Sequence, residues 1–179
     1  MRTRVGYAGG STTNPTYRLL GNHTETMQID FDPALVSYAE LLDLFWEYHD
    51  ATMPAYDRQY RSVILYADEQ QQKVATTSKE KLEKISAQKI YTEIEPLKVF
   101  TLAENYHQKY YLRQRSSLMS DLQKAYPIEI DFINATVSAR LNAVASGIMN
   151  YEILTEVLSS PVLSEANRQR LLNNKQKVP

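Results

Sequence analysis

Strand-like and helix-like patterns of apolar residues follow one another irregularly along this chain of 179 residues, and that order limits the folds open to it. Met27, Ile29 and Phe31 alternate with polar residues, which is the period of a half-buried strand. Apolar residues then recur at helical spacing from Tyr38 to about His49. Because strands and helices do not alternate strictly, the pattern predicts an α+β fold.

Turn-forming residues separate the other predicted elements. Four glycines and an Asn-Pro pair occur within or just before residues 8–21, which predicts a long loop. Ser37 and Glu40 have the spacing of a capping box, so the first long helix is expected to begin there. The remaining predicted elements are strands at 5–7, 60–66, 92–94 and 99–101, helices at 68–87 and 103–112, and helices beyond 116 that are broken at Pro127 and Pro161. Residues 173–179 are expected to fray.

Charge and composition argue against several classes of function. With 20 basic and 21 acidic residues, the chain has no excess positive charge to attract the phosphates of a nucleic acid. Its apolar runs are far too short to span a membrane, and no signal peptide opens it. We therefore expect a cytoplasmic protein that binds neither nucleic acid nor membrane.

Neither a metal nor a phosphate-bearing cofactor is indicated. The three histidines, His23, His49 and His107, are too scattered for a set of metal ligands. The glycine-rich opening has neither a GxGxxG pattern nor a GK[ST] ending, which phosphate-binding loops use. Phe45 and Trp46 are interpreted as core residues rather than as part of a cofactor site.

Cysteine is absent from the sequence. Disulfides, thiolate metal sites and mechanisms with a cysteine nucleophile are therefore closed to these residues. Serine and threonine hydroxyls are poor nucleophiles without a strong base, and no Ser-His-Asp spacing is evident.

Three polar residues next to turn-forming segments are candidates for a site. Tyr17 follows an Asn-Pro-Thr turn, Glu25 ends a His-Thr-Glu triplet, and Tyr60 is expected at the start of a strand. Two phenols and one carboxyl could donate hydrogen bonds to a single oxygen atom. The alternative is that these are half-buried tyrosines and an ordinary surface glutamate, and spacing alone leaves both open.

Several motifs in combination resemble the methionine sulfoxide reductase A family. They are the runs 4–10 (RVGYAGG), 14–17 (NPTY), 21–25 (GNHTE), 31–33 (FDP), 44–50 (LFWEYHD), 59–62 (QYRS) and 103–110 (AENYHQKY). Their order and approximate spacing hold from residue 2 to at least residue 112. The run 138–142 (SARLN) is also similar to a C-terminal stretch in one animal-type branch.

The resemblance implies an architecture. It implies an α+β fold with a two-layer mixed sheet and flanking helices. Residues 1–112 would form the reductase-like core, incomplete at its amino terminus. Residues 113–179 would form a helical C-terminal extension packed on that core.

The resemblance also implies an activity. The family reduces the S epimer of methionine sulfoxide in free methionine and in oxidised proteins, uses no cofactor, and commonly takes thioredoxin as reductant. Glu25 would protonate the sulfoxide oxygen, with Tyr17 and Tyr60 as hydrogen-bond donors. Asp57 could replace a further acidic residue of the substrate pocket if its loop is shifted. An acid must arrive protonated, so a buried, apolar setting is expected for Glu25.

The sequence departs from the family at the nucleophile. The family's nucleophilic cysteine lies in a Gly-Cys-Phe-Trp stretch, which the resemblance places upstream of Met1. One interpretation is a methionine-S-sulfoxide reductase without its amino-terminal segment, and the other is a non-catalytic relative that binds methionine sulfoxide or a protein partner. In either case we expect these 179 residues to lack reductase activity.

Overall fold

The computed structural model describes residues 1–148 and 151–175. Of the residues that are expected to fray, 173–175 form the end of the last helix, and 176–179 lie outside the described part. The strands are β1 (Arg2–Ala8), β2 (Thr24–Asp30), β3 (Val63–Tyr66), β4 (Glu93–Pro96) and β5 (Phe100–Leu102). The α-helices in the described part are α1 (Tyr38–Glu47), α2 (Glu69–Ser86), α3 (Tyr110–Arg113), α4 (Ser116–Ala125), α5 (Glu129–Asn134), α6 (Thr136–Ala145), α7 (Tyr151–Leu158) and α8 (Glu165–Lys175). The predicted α+β class is confirmed.

The chain divides into two compact units. The first unit comprises residues 5–103, and the second comprises residues 1–4 together with 104–179. The predicted division after residue 112, into a reductase-like core and a C-terminal extension, stays a prediction.

Strand pairing is of both kinds, antiparallel within a three-stranded sheet and parallel within a two-stranded one. β1 lies between β2 and β5 and pairs antiparallel with β5, so that Gly6 is opposite Leu102. β3 and β4 pair in parallel, with Val63 opposite Glu93. β2 and β3 each have an edge that no strand of the described part covers.

Helix α1 begins where its capping box predicts. The Ser37 hydroxyl accepts a hydrogen bond from the Glu40 amide at 3.2 Å, and the Glu40 carboxylate accepts one from the Ser37 amide at 2.7 Å. These two bonds satisfy amide groups that have no partner within the helix. The predicted start of the helix is therefore confirmed.

The apolar face of α1 forms part of the core of the first unit. Leu42 is buried against Ile64 of β3 and Ala75 of α2. Phe45 and Trp46 pack against this cluster, so their interpretation as core residues is confirmed. The Trp46 indole also donates a hydrogen bond to the hydroxyl of Ser78 at 2.6 Å, which satisfies its single polar atom.

The start of the predicted strand 60–66 is wrong. Residues 58–60 form a single 3-10 turn, and β3 begins only at Val63. The cause is local, because the Asp57 carboxylate accepts a hydrogen bond from the Gln59 amide at 2.9 Å and so caps the turn. Tyr60 is thus held on a turn rather than on a strand.

The predicted helix 103–112 is also interrupted. A 3-10 turn at Asn105–His107 is followed by α3, which begins only at Tyr110. Lys109 separates them with a φ of 54°, in the left-handed region that a helix cannot contain. The Lys109 ammonium donates hydrogen bonds to the carbonyl and the hydroxyl of Thr3, within the same unit.

The second unit is built from helices. Its buried apolar side chains are Leu112, Leu118, Met119, Leu122, Phe132, Ile133, Leu141, Leu154, Val157, Leu163 and Leu171. The side chain of Asn142 accepts a hydrogen bond from the Leu112 amide at 3.1 Å and ties α6 to α3. Arg4 donates to the Asn134 side chain at 3.0 Å, so the first residues of the chain are bound among these helices.

A groove of about 1020 Å³ lies in the first unit, and we call it the edge groove. It is bordered by two runs of consecutive residues and by one side of α1. The first run, 25–31, extends one residue past β2, and the second, 61–65, begins two residues before β3. Successive side chains of a strand point to opposite faces, so a lining of consecutive residues means that the groove follows the strand edges. Met27, Leu44 and Tyr48 border it and are exposed.

We expect the purified chain to self-associate and to unfold over a broad range at low temperature. Uncovered strand edges beside exposed apolar side chains favour pairing with a second copy. Sedimentation velocity over a concentration series and calorimetry measure both properties. Met27→Lys should reduce the association, whereas Leu35→Lys, at an exposed leucine outside the edge groove, should not. A monomer with one sharp transition at high temperature would contradict the prediction.

Candidate active site

Tyr17, Glu25 and Tyr60 lie close together in the first unit, and we call them the tyrosine–glutamate cluster. A hydrogen bond joins the side chains of Tyr17 and Tyr60, and the Glu25 carboxylate lies near enough to influence the Tyr60 phenol. Tyr17 and Tyr60 are 44% and 48% exposed, and Glu25 is exposed as well. The cluster is therefore open to a ligand from solvent.

The surroundings of Tyr60 keep its phenol protonated. Loss of hydration raises its pKa, and the Glu25 carboxylate raises it further because a phenolate beside it would be repelled. Tyr17 and Tyr56 act in the same direction, and the Tyr56 ring lies 5.5 Å from that of Tyr60. Tyr60 therefore remains a hydrogen-bond donor throughout the neutral pH range.

The Glu25 carboxylate accepts a hydrogen bond from a residue to which the sequence analysis assigns no role. The Gln59 side-chain amide donates a hydrogen bond to Glu25 Oε1 at 2.6 Å. The buried, apolar setting expected for Glu25 is wrong for the chain described here, because the side chain is exposed. Strand geometry explains this, since Thr24 takes the inward position on β2 and its neighbour must point outward.

The Asp57 carboxylate caps the turn that carries Tyr60. This turn comprises residues 58–60, as described above, and the Asp57 side chain is exposed. A contribution of Asp57 to a substrate pocket stays a prediction.

The loop that carries Tyr17 is fastened to the residues just before β2. The Asn22 side-chain oxygen accepts a hydrogen bond from the Ser11 amide at 2.9 Å, and His23 Nε2 donates to the Thr12 carbonyl at 2.8 Å. Gly21 has a φ of +62°, and a Cβ at this position would lie 2.2 Å from the Thr12 hydroxyl. Glycine is therefore required where the loop returns to the strand.

Arg61 is the second residue that the sequence analysis missed. Its guanidinium is buried and forms ion pairs with Glu93 and Glu95 of β4, the latter through bonds of 2.6 and 2.8 Å. The hydrogen bonds to these carboxylates, chiefly to Glu95, raise the pKa of Arg61, and the hydrogen bonds from Arg61 lower the pKa of Glu95 to about 2. The only earlier signal was the QYRS motif, in which neither Gln59 nor Arg61 had been given a role.

The described residues contain neither a cluster of metal-ligand side chains nor a membrane-spanning helix. Among residues 1–148 and 151–175, no group of three or more histidine, aspartate or glutamate side chains is placed to hold a metal ion. None of the helices described there is long and apolar enough to cross a membrane.

A family profile described as peptide methionine sulfoxide reductase matches residues 1–135. A peptide methionine sulfoxide reductase of Drosophila melanogaster is 42% identical over 172 residues, covering 94% of this chain and 68% of that protein. MsrA of Methanosarcina acetivorans is 47% identical over 120 residues, covering 61% and 64%. Peptide methionine sulfoxide reductase A5 of Arabidopsis thaliana is 36% identical over 153 residues, covering 82% and 59%. The chain thus spans between 59% and 68% of the length of these relatives.

Solved structures agree with the sequence comparisons. The crystal structure of Mxr1 from Saccharomyces cerevisiae in reduced form superposes with a TM-score of 0.58 at 30% sequence identity. The match covers 64% of this chain and 71% of Mxr1. The likeness therefore extends to the fold as well as to the motifs.

We expect the ion pair between Glu95 and Arg61 to determine how the free energy of unfolding decreases at acid pH. The lowered pKa of Glu95 means that its contribution is fully present above about pH 5 and is lost as the pH falls toward about 2. Glu95→Gln should therefore lower the free energy of unfolding at neutral pH and make its decline in acid shallower. Urea unfolding at a series of pH values measures this. Glu80→Gln, at an exposed glutamate of α2, serves as the control and should change neither. The same decrease in the free energy of unfolding at acid pH for the parent and for Glu95→Gln would contradict the expectation.

Proposed function

The chain belongs to the peptide methionine sulfoxide reductase family, and from that premise we propose that its tyrosine–glutamate cluster binds the oxygen of methionine-S-sulfoxide. The substrate would be free methionine sulfoxide or an oxidised methionine in a protein. The activity of the complete enzyme would be that of a peptide-methionine (S)-S-oxide reductase, an oxidoreductase that repairs oxidised proteins. The observation that carries the proposal is the convergence of two phenols and one carboxyl at an exposed position.

The chemistry of the sulfoxide explains why phenols suit the site. When a thiolate attacks the sulfur, negative charge develops on the sulfoxide oxygen. Donors already aimed at that oxygen stabilise the transition state more than the ground state. Tyr17 and Tyr60 would supply these donors, and the raised pKa of Tyr60 keeps its proton in place.

Glu25 would supply the proton that the oxygen takes up. The carboxyl must be protonated when it acts, and in the free chain it is exposed and hydrogen-bonded to Gln59. A bound methionine side chain would displace water from the carboxyl and favour its neutral form. Gln59 would hold the carboxyl in place while its second oxygen faces the substrate.

The reducing equivalents would come from a thiolate that these 179 residues do not contain. The thiolate would attack the sulfoxide sulfur to form a sulfur–sulfur bond while Glu25 protonates the oxygen. The oxygen would then move to the cysteine sulfur as the sulfur–sulfur bond and the original sulfur–oxygen bond break, which leaves methionine and a cysteine sulfenic acid. Methionine is reduced by two electrons and the cysteine is oxidised by two. Thioredoxin would then return the sulfenic acid to the thiol and release water.

A second candidate function is favoured by the absence of cysteine. The chain would then be a non-catalytic relative that binds methionine sulfoxide or a protein partner without reducing it. Fusion of a Gly-Cys-Phe-Trp segment before Met1 separates the two, because only a reductase site that is otherwise complete should gain turnover.

We expect the chain to bind a short peptide that contains methionine-S-sulfoxide more tightly than the R epimer or the unoxidised peptide. Tyr17→Phe and Tyr60→Phe should each weaken binding about 2- to 10-fold, the usual range for one lost hydrogen bond. Calorimetric titration measures the affinities. Tyr56→Phe is the matched control, since it keeps the ring beside Tyr60 and removes only a hydroxyl outside the cluster. Equal affinity for the two epimers would contradict the assignment.

We expect no reduction of methionine-S-sulfoxide by the chain with dithiothreitol or thioredoxin as donor, because no sulfenic acid can form without a thiol. Methionine release is measured by chromatography against a reaction without protein. The fused chain described above should regain turnover, and Glu25→Gln in it should lower kcat by removing the proton donor. Turnover by the unmodified chain, free of contaminating reductase, would overturn the prediction.

A further inference from the structure

Arg61 is the buried centre of a hydrogen-bond network next to the tyrosine–glutamate cluster. Its side chain is 5% exposed, and its guanidinium contacts Glu93 and Glu95 on one side. On another side its Nε donates a hydrogen bond to the hydroxyl of Thr24 at 2.9 Å. The guanidinium therefore joins β4 to the first residue of β2.

The Thr24 hydroxyl extends the network to the turn that carries Tyr60. It accepts the bond from Arg61 and donates one to the Arg58 carbonyl at 3.0 Å. A hydroxyl can do both because it has one proton and two lone pairs. Arg58 is the first residue of the turn 58–60, so the turn is bound directly to β2.

Thr24 and Arg61, which this hydrogen bond joins, are the chain neighbours of two members of the tyrosine–glutamate cluster. Thr24 precedes Glu25, and Arg61 follows Tyr60. Thr24 and Arg61 are buried, whereas Glu25 and Tyr60 are exposed. Consecutive Cα atoms are about 3.8 Å apart, so the hydrogen bond between Thr24 and Arg61 limits how far their neighbours Glu25 and Tyr60 can separate.

The loop toward Tyr17 is bound at the same place. The Gly9 carbonyl accepts hydrogen bonds from Arg58 Nη2 at 3.2 Å and from Arg61 Nη2 at 3.4 Å. Gly9 has a φ of +71°, and a Cβ there would lie 2.5 Å from Arg61 Nη2. The guanidinium can reach this carbonyl only because the residue has no side chain.

We propose that Arg61 and Thr24 are positioning residues that set the distance between Glu25 and Tyr60. Neither touches the proposed ligand. Their effect on sulfoxide binding rests on the proposed function, but their effect on the geometry of the cluster does not. A purely structural ion pair would stabilise the fold without determining this distance.

Two variants of Thr24 test the proposal. Thr24→Val removes the hydroxyl while keeping the branched shape that suits a strand, and Thr24→Ser keeps the hydroxyl. The ionisation of Tyr60, followed by NMR in protein with isotope-labelled tyrosine and assigned with Tyr60→Phe, reports on its neighbours Glu25, Tyr17 and Tyr56. In Thr24→Val the Tyr60 pKa should fall toward that of an ordinary tyrosine, and Thr24→Ser should restore it.

Arg61→Lys is the second test, because lysine keeps the charge but loses the planar fork and the Nε donor. It should move the Tyr60 ionisation in the same direction as Thr24→Val. Ser78→Ala is the control, since it removes the hydrogen bond of Trp46 elsewhere in the same unit. It should lower the unfolding temperature and leave the Tyr60 ionisation unchanged.

Affinity for the methionine-S-sulfoxide peptide provides the functional measurement. Thr24→Val should weaken it about 2- to 10-fold and Thr24→Ser should restore it. If the parent chain binds no sulfoxide but Thr24→Val still moves the Tyr60 ionisation, the proposed function fails and the positioning role stands. If folded Thr24→Val has the parent's Tyr60 ionisation, the positioning role is overturned, whatever its unfolding temperature.

Discussion

The buried charge of Arg61 is the constraint on which the arrangement of the first unit depends. A guanidinium without water must be surrounded by carboxylates and other acceptors, because an uncompensated buried charge is strongly destabilising. Glu93 and Glu95 are two residues apart on β4, so their side chains point to the same face. Glu93 and Glu95 of β4, the Thr24 hydroxyl of β2 and the Gly9 carbonyl all accept hydrogen bonds from this one cation. The hydrogen bonds and ion pairs of Arg61 therefore contribute both to the packing of the strands and to the geometry of the site.

Local signals in the sequence predict local structure well here. The capping box of α1 and the alternation that marks β2 as a strand are each contained within a few residues, so no distant contact is needed to find them. The alternation does not give the burial of every residue, because Met27 on the apolar side of β2 is exposed. The errors arise where one side chain or one backbone angle overrides such a pattern. Asp57 caps a turn within a run rich in β-formers, and Lys109 takes a left-handed conformation within a helical pattern. Neither event changes the hydrophobic period from which the predictions were made.

The candidate site was predictable in part. The resemblance to a known family singled out Tyr17, Glu25 and Tyr60, which the structure places together. The residues that hold them were not found, because Gln59 meets Glu25 across 34 positions and Arg61 meets Thr24 across 37. Such pairings depend on how loops return to the sheet, which periodicity does not describe. The exposure of Glu25 was missed because the chemistry of an acid catalyst argued for burial, whereas strand alternation decides which way the side chain points.

The second unit combines residues 1–4 with residues that lie after 103, and this has a consequence for folding during synthesis. Residues 1–4 are synthesised before the rest of their unit, and their partners come far later, since Thr3 and Lys109 are 106 positions apart and Arg4 and Asn134 are 130 apart. Residues 5–103 can close their own contacts while the helical part is still being synthesised. The second unit must instead wait until its helices have been made, and it bears the entropy of closing a loop that contains residues 5–103. Translation thus imposes an order of assembly in which residues 1–4 are fixed later than the residues that follow them in the chain.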